Sequence, residues 1–546
     1  MNMAADNLHT TEYRIKMVDS IIDNVHGFIG LTEVECEIEK LPIFKRLQNI
    51  SQLGLTSRVF PCALHNRYIH SLGVMHIVDQ MATRLEFSDD ARQIIRLAGM
   101  LHDIGHYPFS HDVETAYDDA IQLSDSPSEE FSNYATKARE TIKNLTSPQV
   151  DVKFFLDRRN SELHHESIGE TVISNSANIK KLILEKYINK TDYYSENYNY
   201  DKSQNEKVLR SIILDICAII VGDSKHKSEF FPKEFGMMVQ IMHSELDADR
   251  IDYLLRDATF SGISYGAFDF GVLIQNLDKM LDPDSNEYIV GVTIDGIGCA
   301  EQYLLNRYFA YSQVIHHKYT SILGCALQSV VKWLISDDES GFPDEYKDVK
   351  KLAENHENDA LYIGYTDAFL MDKINRACDN ANCPEQIKRL ARCIKEYELL
   401  AMSNQDDDEF ICSGIDESYI SEKIENSNPF IELGKTDGSI QDVIYRYSEM
   451  RLTKHIPHKD FEERLNKAVK PEDGNTEDGN TEDKSDFAEN LKADYRSDRL
   501  QDGLVIVEPN NPGSKPKMLI DSDRSMLRDI YNLRYCVLRR YSIPKL

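Results

Sequence analysis

Two amphipathic stretches run straight into an adjacent histidine and aspartate, and that junction commits the chain to a helix-dominated body. Leu72, Val78, Met81 and Leu85 recur at helical spacing, as do Ala91, Ile94, Ile95, Ala98 and Leu101, so each stretch has one face to bury. The second stripe stops at Leu101-His102-Asp103-Ile104-Gly105-His106, and Pro108 prevents further helix. A His–Asp pair at a helix end brings an imidazole and a carboxylate within reach of one cation. The pair alone says little, because a chain with 17 His and 92 Asp and Glu produces such neighbours by chance, and His111-Asp112 is a second one.

Composition narrows the class. The 546 residues are 41% hydrophobic, enough for a packed core, and 25 Gly with 16 Pro exclude a collagenous or wholly disordered chain. Lys and Arg number 62 against 92 Asp and Glu, and the net charge of −30 repels duplex nucleic acid and anionic membranes, so bulk nucleic-acid binding is not expected. An anionic substrate is compatible with this charge if a local basic cluster offsets the field. No apolar run reaches the ~18 residues of a membrane span, and Met1 to Ser20 lacks a signal-peptide pattern. The ten cysteines have no zinc-ribbon spacing. Even Cys378, Cys383 and Cys393 read as buried free thiols in a reducing compartment, which points to the cytoplasm, or to the nucleus in a eukaryote.

The pattern along the chain predicts a mainly α fold in three parts. Residues 1–40 form a lead-in with a small β-hairpin, read from the bursts Tyr13 to Met17 and Phe28 to Leu31. Residues 41–336 form a helical core with polar insertions near 116–160 and 183–206, with helical period at 207–256 and 299–336 and a strand at Tyr288 to Ile294. The longest apolar stretch, Ile212 to Val221, contains Asp215 and reads as a buried helix. Residues 337–546 form a mixed α/β region. There the pattern predicts helices near 366–402 and 416–427, short strands at Leu361 to Ile363 and Leu504 to Val507, an acidic loop at 471–486 and a terminal helix from Met526 to Arg540.

His70 sits where a helix begins in Asn66-Arg67-Tyr68-Ile69-His70-Ser71-Leu72-Gly73-Val74, and Leu246-Asp247-Ala248-Asp249-Arg250-Ile251-Asp252-Tyr253 carries several carboxylates on a helical stretch. One cation held by His70, His102, Asp103 and Asp249 would have mixed N/O coordination, suited to Mn, Mg, Fe, Ni or Zn. Two neutral imidazoles and two carboxylates make a divalent site formally uncharged. Such a site can polarise a phosphoryl oxygen without repelling a polyphosphate. Asp249, Tyr253 and Asp257 recur every four residues with Arg250 alongside, which makes either one chemical face or an ion-paired surface.

The strings Phe44 to Gly54, Val59-Phe60-Pro61, His65 to Val74 and Ala98 to His111 closely resemble the HD-superfamily deoxynucleoside triphosphate triphosphohydrolases. The similarity resumes at His165-Glu166, at Asp247 to Asp257, and from Arg307 through His317-Lys318, covering roughly residues 25–320. The branch it looks most like is the SAM-and-HD-domain dNTPase, without the SAM domain. The resemblance implies an HD-domain helical core and hydrolysis of dNTPs to deoxynucleoside and inorganic triphosphate. It assigns His70, His102, Asp103 and Asp249 to the metal, and His106, His111, Glu114, His165 and Glu166 to a second catalytic cluster. Arg67, Arg250, Arg307 and Lys318 fall on phosphate-contacting positions, Tyr253 and Asp257 on residues that hold the sugar, and Gln52 and Leu53 on its edge. It also implies a homo-oligomer.

Several positions depart from that branch. Glu114 replaces Asp, Arg250 replaces Lys, and Ile315 stands where a Tyr crowds the sugar 2′ position, which weakens deoxy-over-ribo selection. Lys40 and Gln48 occupy two nucleotide-sensing positions that are acidic and Arg there, so activation by dGTP or GTP does not carry over. His65 and His76 read as polar or core-edge histidines, and His164 can exchange roles with His165. Two other readings compete: an HD phosphodiesterase or nuclease acting on single-stranded nucleic acid or a signalling nucleotide, and a non-catalytic nucleotide-sensing HD protein.

Overall fold

The computed structural model describes residues 15–124, 162–358, 360–396, 408–413, 443–453, 499–511, 513–531 and 533–542. It opens on an antiparallel hairpin, β1 (Asp19–Asp23) and β2 (Gly27–Leu31), starting after the Tyr13–Met17 burst, with Ile22 opposite Phe28. Helix α1 (Glu33–Glu39) follows, and its buried Glu35 pairs with Arg96 at 2.6 Å.

The two apolar stripes form α2 (Arg67–Arg84) and α3 (Asp89–Leu101), packed side by side. Asn66 caps α2 by accepting from the Ile69 amide, and Ser88 caps α3 from the Ala91 amide, each satisfying an orphan N–H. The chain turns at 102–110 into α4 (His111–Ser124). Helices α5 (His165–Asn175), α6 (Ala177–Lys186) and α7 (Asn205–Val221) then close the core around α3. Next come α8 (Phe235–His243) and α9 (Ala248–Ser261), the latter capped by Asp247 and packed on α2. Helix α10 (Ile297–Ala310) runs through one turn of π-helix at Tyr311–Ile315 before α11 (Lys318–Ser336).

The hairpin of β3 (Leu277–Asp282) and β4 (Glu287–Val292) is extended by strands from late in the chain. They are the parallel β7 (Val505–Ile506) and its antiparallel neighbour β8 (Lys517–Met518), in order β3-β4-β7-β8. A second sheet has β9 (Leu533–Ser542) between β5 (Asp408–Ser413) and β6 (Val443–Arg451). Helices α12 (Asp367–Ala377) and α13 (Glu385–Glu396) complete the body, and α13 packs on α11. The fold is mainly α, with an N-terminal hairpin and a mixed C-terminal region. No helix among the described residues is long and apolar enough to cross a membrane.

Three local readings need correction and one needs refinement. Leu361–Gly364 is a helical turn rather than a strand, with Tyr362 buried under the Arg46 guanidinium. The expected terminal helix is one turn, Leu527–Ile530, followed by β9, because that segment finds strand partners on both sides. Residues 183–206, read as a surface insertion, are exposed along much of their length but anchor into the core through aromatic rings. Tyr187 and Tyr194 are buried with their hydroxyls 2.9 Å apart, and Tyr194, Tyr198 and Tyr200 pack edge-on against Phe230. Tyrosine-rich sequence counts as polar by composition, yet each ring supplies a large apolar face. The 366–402 helix is broken between α12 and α13 at Cys378–Pro384. Of the polar stretch 116–160, residues 116–124 continue α4. The remainder, the 416–427 helix and the 471–486 loop lie outside the described residues.

Candidate metal and catalytic site

The site forms where the α3–α4 turn meets α2, α5 and α9. Close approach here depends on two glycines. A Cβ on Gly105 would come within 2.2 Å of the Gly169 amide and the His165 carbonyl, and one on Gly73 within 1.9 Å of Asp252 Oδ1. Each hydrogen therefore lets a helix carrying site residues sit against its neighbour.

His70, His102 and Asp103, all buried, form a group able to hold a divalent metal ion, with ligand atoms within 4.8 Å of one another. Asp249 joins them from the first turn of α9, its Oδ1 2.9 Å from His70 Nε2 and 3.7 Å from His102 Nε2. The donor set fits a cation on one further ground. His102 donates from Nδ1 to the Gly99 carbonyl at 2.8 Å, while its buried Nε2 has no hydrogen-bond partner and lies 3.4 Å from Asp103 Oδ1. With its one neutral-state proton on Nδ1, the ring turns the Nε2 lone pair toward carboxylate oxygens, an arrangement that a second proton, giving imidazolium, or a bound cation satisfies. Burial alone would depress His70, but hydrogen bonds to Asp249 and Asp252 and the charges of Asp252 and Asp103 carry it up to about 10. The cavity is built for positive charge.

A second layer fixes the first. His70 Nδ1 lies 2.7 Å from Asp252 Oδ2, which leaves Nε2 facing Asp249. Asp252 also bonds His26 Nε2 at 2.6 Å and accepts two bonds from Arg256, and Arg256 in turn pairs with Asp23 at 2.7 Å. The N-terminal hairpin is thus wired to a metal-ligand candidate.

Beside this group the His106 ring stacks on His165 at 4.1 Å and meets His111 edge-on at 4.9 Å. Glu114 lies under the cluster. Its Oε2 is 2.8 Å from His111 Nδ1, and its Oε1 accepts from the His165 amide at 3.0 Å and lies 3.2 Å from His165 Nδ1. Burial raises Glu114, but the charges of His165 and His111 and their hydrogen bonds hold it well below the usual carboxylate range. His106 is fully buried with neither ring nitrogen bonded, and burial together with the Arg67 charge keeps it neutral. The side chain of His111 is 65% exposed, the open member of the cluster. His165, rather than His164, stacks on His106; His164 Nδ1 faces Glu166 at 3.4 Å.

Arg67 bridges both layers, donating to Asp103 Oδ2 and Ser110 Oγ at 2.9 Å each and reaching the Gln52 carbonyl. Gln52 is buried with its Oε1 unpartnered, and Leu53 lies half-buried beside it. Tyr253 Oη is 3.1 Å from Tyr311 Oη, on the π-helical turn that ends at the half-buried Ile315. The other expected phosphate contacts are engaged elsewhere. Arg250 donates to Asp247 and to the Ser244 carbonyl, and Arg307 is buried against Glu245 and donates to the Leu452 carbonyl at 3.2 Å. Lys318 sits at the start of α11, 5.3 Å from the Tyr319 ring.

Residues 67–221 match the HD domain family. The chain carries an HD domain. Human deoxynucleoside triphosphate triphosphohydrolase SAMHD1 is 41% identical to it over 98 residues, 17% of this chain and 16% of that one. The uncharacterized protein YwfO of Bacillus subtilis is 26% identical over 282 residues, 51% of this chain and 46% of its own. The chain spans about half the length of the curated relatives it matches. Among solved structures, a phosphohydrolase from Bacteroides thetaiotaomicron superposes with a TM-score of 0.53 at 17% identity, over 95% of this chain and 99% of that one, a likeness of fold.

Two groups outside the HD domain match complete the surroundings. His65, a buried polar histidine as expected, has Nε2 2.8 Å from Asp257 Oδ1, and Asp252, behind His70, went unassigned by sequence. Asp252 was visible three residues after Asp249, and that helical spacing is the signal that it faces the same side.

Proposed function

We propose that this protein is a metal-dependent phosphohydrolase that converts deoxynucleoside triphosphates to deoxynucleoside and inorganic triphosphate. The observation that carries the reading is the meeting of His70 Nε2, the unpartnered His102 Nε2, Asp103 and Asp249 beside an imidazole cluster held by one carboxylate. The likeness of its HD domain to dNTP triphosphohydrolases supports the choice of substrate.

His70, His102, Asp103 and Asp249 would hold a divalent ion, which would supply Lewis-acid polarisation at the α-phosphate. Water adds to the α-phosphorus and the bond to the sugar 5′-oxygen breaks, so the leaving oxygen needs a proton. His111, exposed at one edge and oriented through Nδ1 by Glu114, is placed to deliver it, general-acid help worth ~10²–10⁴-fold. His165, on the same Glu114, supports the attacking water, while neutral His106 packs against both rings. Glu166 orients His164. Asp257, steadied by His65, accepts from the sugar 3′-hydroxyl, with Tyr253, Gln52 and Leu53 along the sugar. Arg250, Arg307 and Lys318 serve the triphosphate after leaving their present partners, and Arg67 acts nearest the α-phosphate.

Incubation with each dNTP and NTP in Mn²⁺ or Mg²⁺, resolved by ion-exchange chromatography, tests this. Nucleoside plus triphosphate is the expected product pair. Pyrophosphate or monophosphate overturns it in favour of phosphodiesterase chemistry, and tight binding without turnover overturns it in favour of a sensor.

A further inference from the structure

The loop that joins His106 to His111 is held by a segment from far outside the HD domain. Phe109 and Ser110 have φ of 52° and 60°, two successive non-glycine residues in the left-handed region. Such a conformation persists only where the surroundings impose it. The surroundings are specific. Asp367, the first residue of α12, accepts from the Phe109 amide through Oδ1 at 2.7 Å. Its Oδ2 accepts from the Ser51 amide at 2.9 Å and the Ser51 hydroxyl at 2.6 Å. Ser110 Oγ donates to the Ser51 carbonyl at 2.7 Å and accepts from Arg67, which also binds Asp103.

The other end of the loop is held by the same segment through Arg46. This fully buried guanidinium donates to the His106 carbonyl at 2.8 Å and to the Tyr365 carbonyl at 3.0 Å, and lies 4.3 Å over the Tyr362 ring. Tyr365 Oη is 2.8 Å from Tyr117 Oη, on the helix that carries His111 and Glu114. Residues 362–367 therefore hold the loop directly at Phe109, through Arg46 at His106, and the following helix through Tyr365.

We infer that Tyr362–Asp367 is a positioning element for catalysis, and that Asp367 is a positioning residue that seats His111 on Glu114 by fixing the Phe109–Ser110 backbone. The catalytic consequence rests on the reading given under Proposed function; the structural consequence does not. Asp367 makes three charge-assisted bonds to two backbone segments and touches neither ligand group nor imidazole. Losing it frees the loop to relax to negative φ and swings His111 away from Glu114. Misplacement of a reacting group by about 1 Å costs on the order of 100-fold.

The test compares Asp367→Ala and the milder Asp367→Asn with wild type by crystal structure, metal content, and kcat and KM for a dNTP. In Asp367→Ala the His111–Glu114 hydrogen bond is expected to be lost, with kcat down on the order of 100-fold, KM changed less than about threefold and metal content unchanged. Asp367→Asn, which keeps one acceptor oxygen, is expected to fall between, and it stands in if Asp367→Ala does not fold. Parallel loss of metal, KM and kcat would mark a merely structural residue and overturn the proposal, as would an unmoved loop or an unchanged kcat. If wild type turns over no dNTP, the reading of function fails separately. The position of His111 in the variant crystal structure then decides: a broken bond to Glu114 supports the positioning role, and a retained one overturns it.

Discussion

Replacing Asp252 with Asn removes one charge and one acceptor from the centre of the second layer. Each Asp252 oxygen serves two donors: Oδ2 meets His70 Nδ1 at 2.7 Å and Arg256 Nε at 2.8 Å, and Oδ1 meets His26 Nε2 at 2.6 Å and Arg256 Nη2 at 2.9 Å. In Asp252→Asn the new NH₂ must displace one pair. Turned toward His70, it donates to Nδ1 and drives the ring proton onto Nε2, the atom that faces Asp249 and would meet a cation. Turned toward His26, it opposes Arg256 Nη2 and leaves His70 with a weaker, neutral acceptor. Either way His70 becomes a poorer ligand, and loss of such an outer partner lowers metal affinity ~10–100-fold, about 1.4–2.7 kcal/mol. Arg256 keeps Asp23 at 2.7 Å, so the chain still folds, with a loss of ~1–3 kcal/mol for the weakened charged hydrogen bonds. Titration calorimetry with Mn²⁺ on metal-stripped protein measures the first quantity and thermal unfolding the second. His26→Ala, which leaves the Asp252–His70 bond in place, is the control. Mn²⁺ affinity in Asp252→Asn within about threefold of wild type would refute the reasoning.

Asp249→Ala is expected to abolish turnover and metal retention, whereas His165→Ala keeps its metal and loses most of the rate; equal metal loss in the two, measured by elemental analysis, would contradict the division of roles. Asp90 accepts from Tyr187 and Thr191 through one oxygen, and burial pushes it up to about 6. Folding therefore takes up a proton, and stability falls as pH rises from the unfolded value near 3.8 through about 6. Asp90→Asn keeps that oxygen and carries no charge, so it should stabilise by on the order of 2–3 kcal/mol above pH 6 and by nothing below pH 4, read from urea midpoints across that range. Ile315→Tyr should lower kcat/KM for ribonucleotides relative to their deoxy counterparts; an unchanged ratio would remove residue 315 from sugar selection.

The convergence of the candidate metal group was legible because its members lie in short, ordered strings: a capped helix start with His70, a helix end with His102-Asp103, and a helical run beginning at Asp249. The α2 and α3 stripes and the β4 strand were equally plain, since each has its own period. Strand β9 was misread because its arginines and apolar residues fit a helix as well as a strand, and only the pairing with β5 and β6 decides between them. The partner of His65 was illegible for a similar reason: a histidine near a motif has no pattern of its own, and its hydrogen bond is to Asp257, 192 residues away in the chain.

Local order in the chain thus determined which side chains can ligate a cation and which helices carry them, because capping, periodicity and the stop at Pro108 act over a few residues. Tertiary structure alone decided what holds those side chains in place. Asp252 with His26 behind His70, Glu114 beneath two imidazoles, and Asp367 on the Phe109 amide are contacts between segments 51 to 258 residues apart for all but the nearest, His111. A carboxylate's partner is set by where the folded backbone brings it, and no spacing rule reaches that far.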